Sequence, residues 1–341
     1  MGYDNLRLEK GMYRQAGMSF SQVLESLDPS ENYRGTALEK TDAFQRQLKR
    51  FGIRAKGAGS SPVEKFFATM DSAVLFPEYI ARTVRQGLEE NDILPAITAT
   101  TTVIDAMDYR SIYSVPAEDD KALKDVTEGT AIPETSVKTK EHLVKLSKRG
   151  RMLVASYEAI RFQKLDLFGV MLRQIGAHIQ KQQVADAVKV LLDGDGNENP
   201  ATKLTIGTSP MSGTKGKLTY DQLVEFWGQF DPYTMNTLLC STATMTGLLK
   251  VPELQNPQTG LNFQGTGKLT TPLGAQLHRT GAVTDGMLIG LDNRYALEQV
   301  RAGDVLVEYD KLIDRQLERA AISTISGFTK ICDGAVKALT V

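Results

Sequence analysis

Residues 154–200 read VASYEAIRFQKLDLFGVMLRQIGAHIQKQQVADAVKVLLDGDGNENP, and this stretch decides how the rest of the chain is organised. No proline interrupts it before Pro200. Phe168, Leu172, Ile175 and Ile179 form one apolar stripe, which Val184, Val188 and Leu191 continue. With Ser156 as the capping residue, the spacing predicts a helix over 157–192, about 54 Å long at about 1.5 Å per residue. Only a stripe is apolar, so the helix is expected against a sheet or a partner and not inside a bundle. Asp193-Gly194-Asp195-Gly196 ends it.

Upstream, the grammar is that of strands. Residues 98–115 are rich in Thr, Ile, Val and Tyr, and 137–154 alternate less cleanly. Between them lies a polar tip, 116–135. The two arms read as a ribbon whose strands could each reach about 50 Å at about 3.3 Å per residue. A two-stranded ribbon of that length exposes its edges and is expected to rest on a neighbour. Its charges are segregated. The tip holds Glu118, Asp119, Asp120, Asp125, Glu128 and Glu134 against Lys121 and Lys124, a net of −4; residues 136–151 hold Lys138, Lys140, Lys145, Lys148, Arg149 and Arg151 against Glu141, a net of +5. Solvated faces account for this, and so does head-to-tail complementarity between subunits, with Glu118, Asp119, Asp120, Glu128, Lys138, Lys140, Lys148, Arg149 and Arg151 as candidate contacts.

Towards the N-terminus, Ser19-Phe20-Ser21-Gln22 is a capping box for a helix that stops near Pro29. A helix is predicted over 36–51 from Leu38, Thr41, Phe44, Leu48 and Phe51, ended by Gly52. Ser61-Pro62-Val63-Glu64 reads as a second capping box, and Pro77 as the start of a helix through Ile80, Val84 and Leu88. Such short helices rarely make a core of their own, so residues 1–97 are expected to be an arm lying on something else. Within it Arg46, Lys49, Arg50, Arg54 and Lys56 form a basic segment with no intervening acid, a candidate contact for phosphates or an acidic partner.

Downstream, 193–218 is a loop-rich boundary, and Thr219-Tyr220-Asp221-Gln222 caps a helix containing Leu223, Phe226 and Trp227. A buried strand is expected at 237–240 and a short helix at 243–249, with strands around 286–299 and 303–309 and a last strand after Lys311.

The chain has 341 residues, a net charge of −1, 41% hydrophobic and 24% charged residues, enough for a sizeable core and without the bulk charge of a nucleic-acid binder. The start, Met1-Gly2-Tyr3-Asp4-Asn5-Leu6, lacks a signal peptide's apolar core, and no apolar run approaches the roughly 18 residues of a membrane span; a soluble chain made in the cytoplasm is expected. Cys240 and Cys332 read as buried hydrophobes. Chemistry-bearing motifs fail on inspection. His142, His178 and His278 are far apart and lack a Cys pair. Asp193-x-Asp195-x-Asn197 opens like a calcium loop, but Glu198 replaces the glycine and Leu204 the bidentate Glu. Gly213-Thr214-Lys215-Gly216-Lys217 and Gly265-Thr266-Gly267-Lys268 lack the Ser or Thr of a phosphate loop, and no serine sits in a nucleophile elbow. No catalytic, metal or cofactor residue is assigned.

The order of parts resembles the major capsid proteins of tailed bacteriophages, the Hong Kong 97 type of fold. Val74-Leu75-Phe76-Pro77-Glu78 with Ile93-Leu94-Pro95 is similar to the segment leading into that family's extended loop, and Glu128-Gly129 with Ile132-Pro133 to its distal return. Val154-Ala155-Ser156-Tyr157-Glu158 resembles the approach to the spine helix, and Leu192 through Pro200 its exit; Leu273-Gly274 and Leu291-Asp292-Asn293 resemble later axial-domain segments. The resemblance covers about 65–341. It implies an α+β fold with an N-terminal helical arm (1–97), an extended loop (98–153), a peripheral domain holding the spine helix (154–200 and 300–341) and an axial α/β domain (201–299).

It further implies a structural protein and no enzyme: a phage head protein that self-assembles through hexamers and pentamers into an icosahedral shell around non-specifically packaged double-stranded DNA. Implied partners are scaffold, portal and decoration proteins, with no membrane, and the implied location is the virion after assembly in the host cytoplasm. An encapsulin-type compartment is the alternative within the fold, and a soluble α/β enzyme with a spatially assembled site the alternative outside it. Some relatives link subunits covalently between a loop Lys and a peripheral-domain Asn. No Asn follows Asn293 here, so noncovalent assembly is expected.

Overall fold

Capping chemistry starts the first helices of the computed structural model, which describes residues 3–14, 18–90, 92–106, 108–113, 125–126, 138–156, 158, 162–255, 273–303, 305–312 and 317–341. Helix α1 (Phe20–Leu27) opens with the expected box: Gln22 N–H donates to Ser19 Oγ at 3.3 Å and Ser19 N–H to Gln22 Oε1 at 2.7 Å. Helix α2 is Ala43–Arg50, shorter than the predicted 36–51, because Asp42 caps it through Gln45 N–H at 2.7 Å. Gly52 follows it at φ 62°. The second predicted box does not form: Ser61 Oγ accepts from Arg54 N–H instead, and only a 3₁₀ turn, Val63–Phe67, follows.

Helix α3 (Met70–Glu89) starts at Thr69, capped through Ser72, and so contains Pro77 instead of opening on it. The Tyr13 hydroxyl takes up the slack that the proline leaves. It donates to Val74 O at 2.8 Å and accepts from Glu78 N–H at 3.0 Å, inserting into the backbone pair next to the one that Pro77, without an N–H, leaves unmade.

The chain divides into two compact units. The first comprises Met1–Asn91, Arg149–Gln180 and Asp304–Thr324. Its core joins Phe20, Leu24, Phe44, Leu48, Phe66, Leu75, Phe76 and Ile80 to Leu172 and Ile179. The N-terminal helices therefore pack their thin apolar faces into a core that the long helix and the strands share, and do not form one by themselves. Helix α5 (Leu165–Asp193, after the short α4, Leu94–Ile97) is bounded at Leu165, where Gln163 O accepts from Val63 N–H and Leu165 N–H donates to Ser61 O, both at 2.9 Å; the predicted start at 157 lies outside the described residues. Backbone committed to residues 61–63 cannot continue a helix. Helices α3 and α5 approach until their glycines touch backbone: a Cβ on Gly87 would lie 2.2 Å from Arg173 O, and one on Gly176 2.1 Å from Val84 O. Strands β4 (Ser147–Ser156), β10 (Leu306–Leu312) and the first part of β11 (Leu317–Lys330) complete the unit, with Leu153, Ala155, Val307, Tyr309, Ala320 and Ile322 turned to the core.

The second unit comprises Asp92–Lys148, Lys181–Gly303 and Ile325–Val341. It carries a sheet in the order β5 (Thr202–Thr205), β12 (Val336–Thr340), β8 (Met287–Leu291), β6 (Thr237–Cys240), β7 (Gln276–Arg279). Strand β6 is buried at every position, as its unbroken apolar run predicts. Helices α6 (Tyr220–Gly228) and α7 (Thr242–Leu249) supply Leu223, Phe226, Met245 and Leu248 to the same core. A second core in this unit gathers Leu94 and Ile97 with Val184, Val188 and Leu191, the end of the apolar stripe. Gly194 at φ 87° follows helix α5, as expected.

The ribbon departs from expectation. Its outgoing strand β1 (Thr100–Ile104) pairs in parallel with β9 (Leu297–Ala302), not with the return arm. Only β2 (Ile112–Tyr113) and β3 (Lys138–Thr139) pair antiparallel across the ribbon among the described residues. β propensity announces a strand but not its partner. Of the tip only Asp125 and Val126, both exposed, are described; Glu118, Asp119, Asp120 and Glu128 lie outside the described residues.

Candidate functional site

The candidate site is the root of the extended segment together with the basic residues around it. On the outgoing leg, Glu298 of β9 is buried and forms no ion pair among the described residues. Its carboxylate accepts from Thr102 Oγ1 at 2.6 Å, from the Tyr109 hydroxyl at 2.7 Å and from Ser111 Oγ. Three hydroxyls replace the water that a buried carboxylate loses, and together they hold Thr102, Tyr109 and Ser111 on β9. Lys140 N–H to Ser111 O at 2.9 Å and Val144 N–H to Tyr109 O at 2.8 Å keep the return leg alongside. No local pattern flagged Glu298, since its partners lie almost two hundred residues away in sequence.

On the return leg Lys140 is 3% exposed. This corrects its reading as a surface contact. Its Nζ donates to Asp195 Oδ2 at 2.6 Å, Thr329 Oγ1 at 3.0 Å and Lys330 O at 2.5 Å. Asp195 also accepts from Thr329 Oγ1 at 2.5 Å and from the Asn197 amide nitrogens. Burial alone would raise the Asp195 carboxyl, but the hydrogen bonds from Lys140, Thr329 and Asn197 outweigh it and hold the group well below the usual carboxylate range. The acids that resembled a calcium loop therefore include one committed to a lysine. Lys330, fully buried, donates to Asn199 O at 2.8 Å, and burial pushes its ammonium down.

Lys148 and Arg151 stand exposed on β4, and Arg149 is half-buried; Lys138 lies on β3. The outward side of β4 also exposes Met152 and Val154, and β10 exposes Leu306, so this strand face mixes cations with apolar side chains.

The segment 46–56 does not form one basic face. Arg46 is 0% exposed. Its Nε meets Asp28 Oδ2 at 2.6 Å, Nη2 donates to Asp28 O at 2.6 Å and Nη1 to Thr41 O at 2.5 Å, with the Tyr33 ring 4.3 Å away. Arg50 is half-buried and donates to Leu6 O at 2.6 Å. These two corrections follow from helical geometry: the outer face of α2 is the one that residues 3–33 cover. Lys49, Arg54 and Lys56 remain exposed.

No group of His, Cys, Asp and Glu among the described residues could hold a metal ion, and no described helix is long and apolar enough to cross a membrane. Cys240 and Cys332 are buried and unpaired, and burial pushes the Cys240 thiol up to about 11.

Over residues 139–324, more than half its length, the chain matches the family described as phage capsid protein. No curated protein matches it. Among solved structures, the capsid of the native GTA particle superposes with a TM-score of 0.53 at 12% identity, covering 72% of this chain and 89% of that one. The virus-like particle from Pyrococcus furiosus gives 0.51 at 14% identity, covering 77% and 98%. The capsid of the cyanophage P-SCSP1u gives 0.50 at 12% identity, covering 71% and 85%. At such identities the likeness concerns the fold, which is of the Hong Kong 97 type.

Proposed function

The chain belongs to the phage capsid protein family, a family of structural shell proteins and not of enzymes, and from that premise we propose that it builds an icosahedral phage head around double-stranded DNA. Its work is self-association. The proposed units are hexamers and pentamers in which one surface repeats around closed rings. The family match carries this reading, because it spans the basic strand, the long helix and four of the five strands of the second sheet. The root of the segment 98–153 supports it: Glu298 and Lys140 fix its two legs, the firm base that a part reaching a neighbour needs. We assign the inter-subunit contact to Lys148, Arg149 and Arg151 on the basic strand and to the acidic tip with Glu118, Asp119, Asp120 and Glu128, and we keep 98–153 as the functional boundary of the loop. Scaffold, portal and decoration proteins are proposed partners, and the host cytoplasm the proposed place of assembly. Electron microscopy of the expressed protein tests the reading. Shells, tubes or capsomer rings are expected; small discrete particles at every concentration and salt would overturn it.

A further inference from the structure

We infer that the loop 54–61 is a contact for the phosphate backbone of double-stranded DNA, an inference that rests on the shell reading above. Residues 46–65 contain Arg46, Lys49, Arg50, Arg54, Lys56 and Lys65 against Glu64 alone. Folding sorts these cations. Arg46 and Arg50 are spent inside the unit, and Lys65 donates to Gly52 O at 2.5 Å. Lys49, Arg54 and Lys56 stay exposed, and none of them has an ion pair among the described residues.

The loop that carries two of them is built and not merely irregular. Ser61 N–H donates to Arg54 O at 2.8 Å and Arg54 N–H to Ser61 Oγ at 3.1 Å, closing its base; Ser60 N–H donates to Gly57 O at 2.9 Å, closing its turn. Around Lys56 its tip consists of Ala55, Gly57, Ala58 and Gly59. Gly57 sits at φ 85° with open space where a side chain would be, and the Arg54 guanidinium lies 3.5 Å from the position a Cβ on Gly59 would take. The Ser60 hydroxyl is buried and has no hydrogen-bond partner. The loop therefore presents a guanidinium and an ammonium on a tip of small residues.

That inventory consists mainly of donors, which suits a row of phosphate oxygens. A protein partner fits less well, because the tip offers no side chain larger than Ala apart from Lys56, whereas protein interfaces centre on buried aromatic or aliphatic anchors. The tip holds no Asn or Gln for an adenine edge, and because Arg and Lys also pair with guanine, equal binding of two unrelated duplexes is what separates a phosphate contact from base readout. The contact is to backbone and independent of sequence.

The test uses the full chain, wild type and the variant Lys49→Gln/Arg54→Gln/Lys56→Gln, with fluorescent duplexes of two unrelated sequences. Wild type should bind both equally, with a log–log salt slope reduced by about 2.7 in the variant if all three charges neutralise phosphates. Lys10→Gln/Lys40→Gln, changed at exposed positions elsewhere, should leave binding unaltered. Unchanged DNA binding or salt slope in the triple variant would overturn the inference, and so would loss of binding only to a peptide of residues 116–135. Thermal unfolding verifies that each variant is folded. Electron microscopy of wild type reads the shell hypothesis separately, so a failure of one is not mistaken for a failure of the other.

Discussion

Arg46 and Lys56 belong to one basic run, yet they answer to different physics. Arg46 neutralises Asp28 out of water, so its removal leaves an uncompensated buried carboxylate, whereas Lys56 loses only a solvated charge. In denaturant titrations Arg46→Gln is expected to cost about 3–5 kcal/mol, and Lys56→Gln to stay within about 0.5 kcal/mol. Asp195 sets an acid limit at the same scale. Its carboxyl is depressed when folded, so the unfolded chain binds more protons as the pH falls. The stabilisation is complete above the ordinary carboxylate value and is lost as the pH drops below about 4 towards the folded value. Asp195→Asn should be less stable at pH 7 and show a flatter acid limb. An acid limb of unchanged slope in that variant would count against this account.

At the scale of elements, the crossing of α3 and α5 depends on missing side chains. Gly87→Ala and Gly176→Ala place a methyl group about 2 Å from a facing carbonyl. Each should lose at least the upper end of the roughly 1–3 kcal/mol that overpacking costs, read as a lowered midpoint of unfolding. Gly247→Ala, in helix α7 with nothing within 4 Å, is the control; it should stabilise by about 0.5–1 kcal/mol through reduced chain entropy. The two outcomes have opposite sign for one chemical change, so a helix-propensity account without packing would predict neither contrast.

For the whole molecule, the extended segment should serve assembly and not folding. Its root is pinned within one unit by Glu298 and Lys140, so replacing 116–135 by a short Gly-Ser turn should leave both units folded and soluble while closed shells fail to form. Single exposed ion pairs contribute only about 0–1 kcal/mol, so the strength must come from repetition, and partial assembly of wild type should weaken with salt. Normal shells from the shortened chain would reject this role. Because no Asn follows Asn293, boiled and reduced shells should run as one band near the chain mass of 37.4 kDa, and a ladder of linked rings would show otherwise.

The local part of this structure was legible in the sequence. Ser19 with Gln22, Thr219 with Gln222, the unbroken run of β6 and the stripe from Phe168 to Leu191 all express contacts within a few residues, where propensity and periodicity act directly. The order of such parts also carried the resemblance to phage capsid proteins. What the sequence left open is settled by partners far along the chain. Residues 61–63 bound α5 at Leu165, the Tyr13 hydroxyl lets α3 run through Pro77, β9 takes β1 from the ribbon, and Asp28 and Asp195 bury Arg46 and Lys140. Each is a long-range pairing that satisfies a backbone or charged group removed from water, and only tertiary structure brings such partners together.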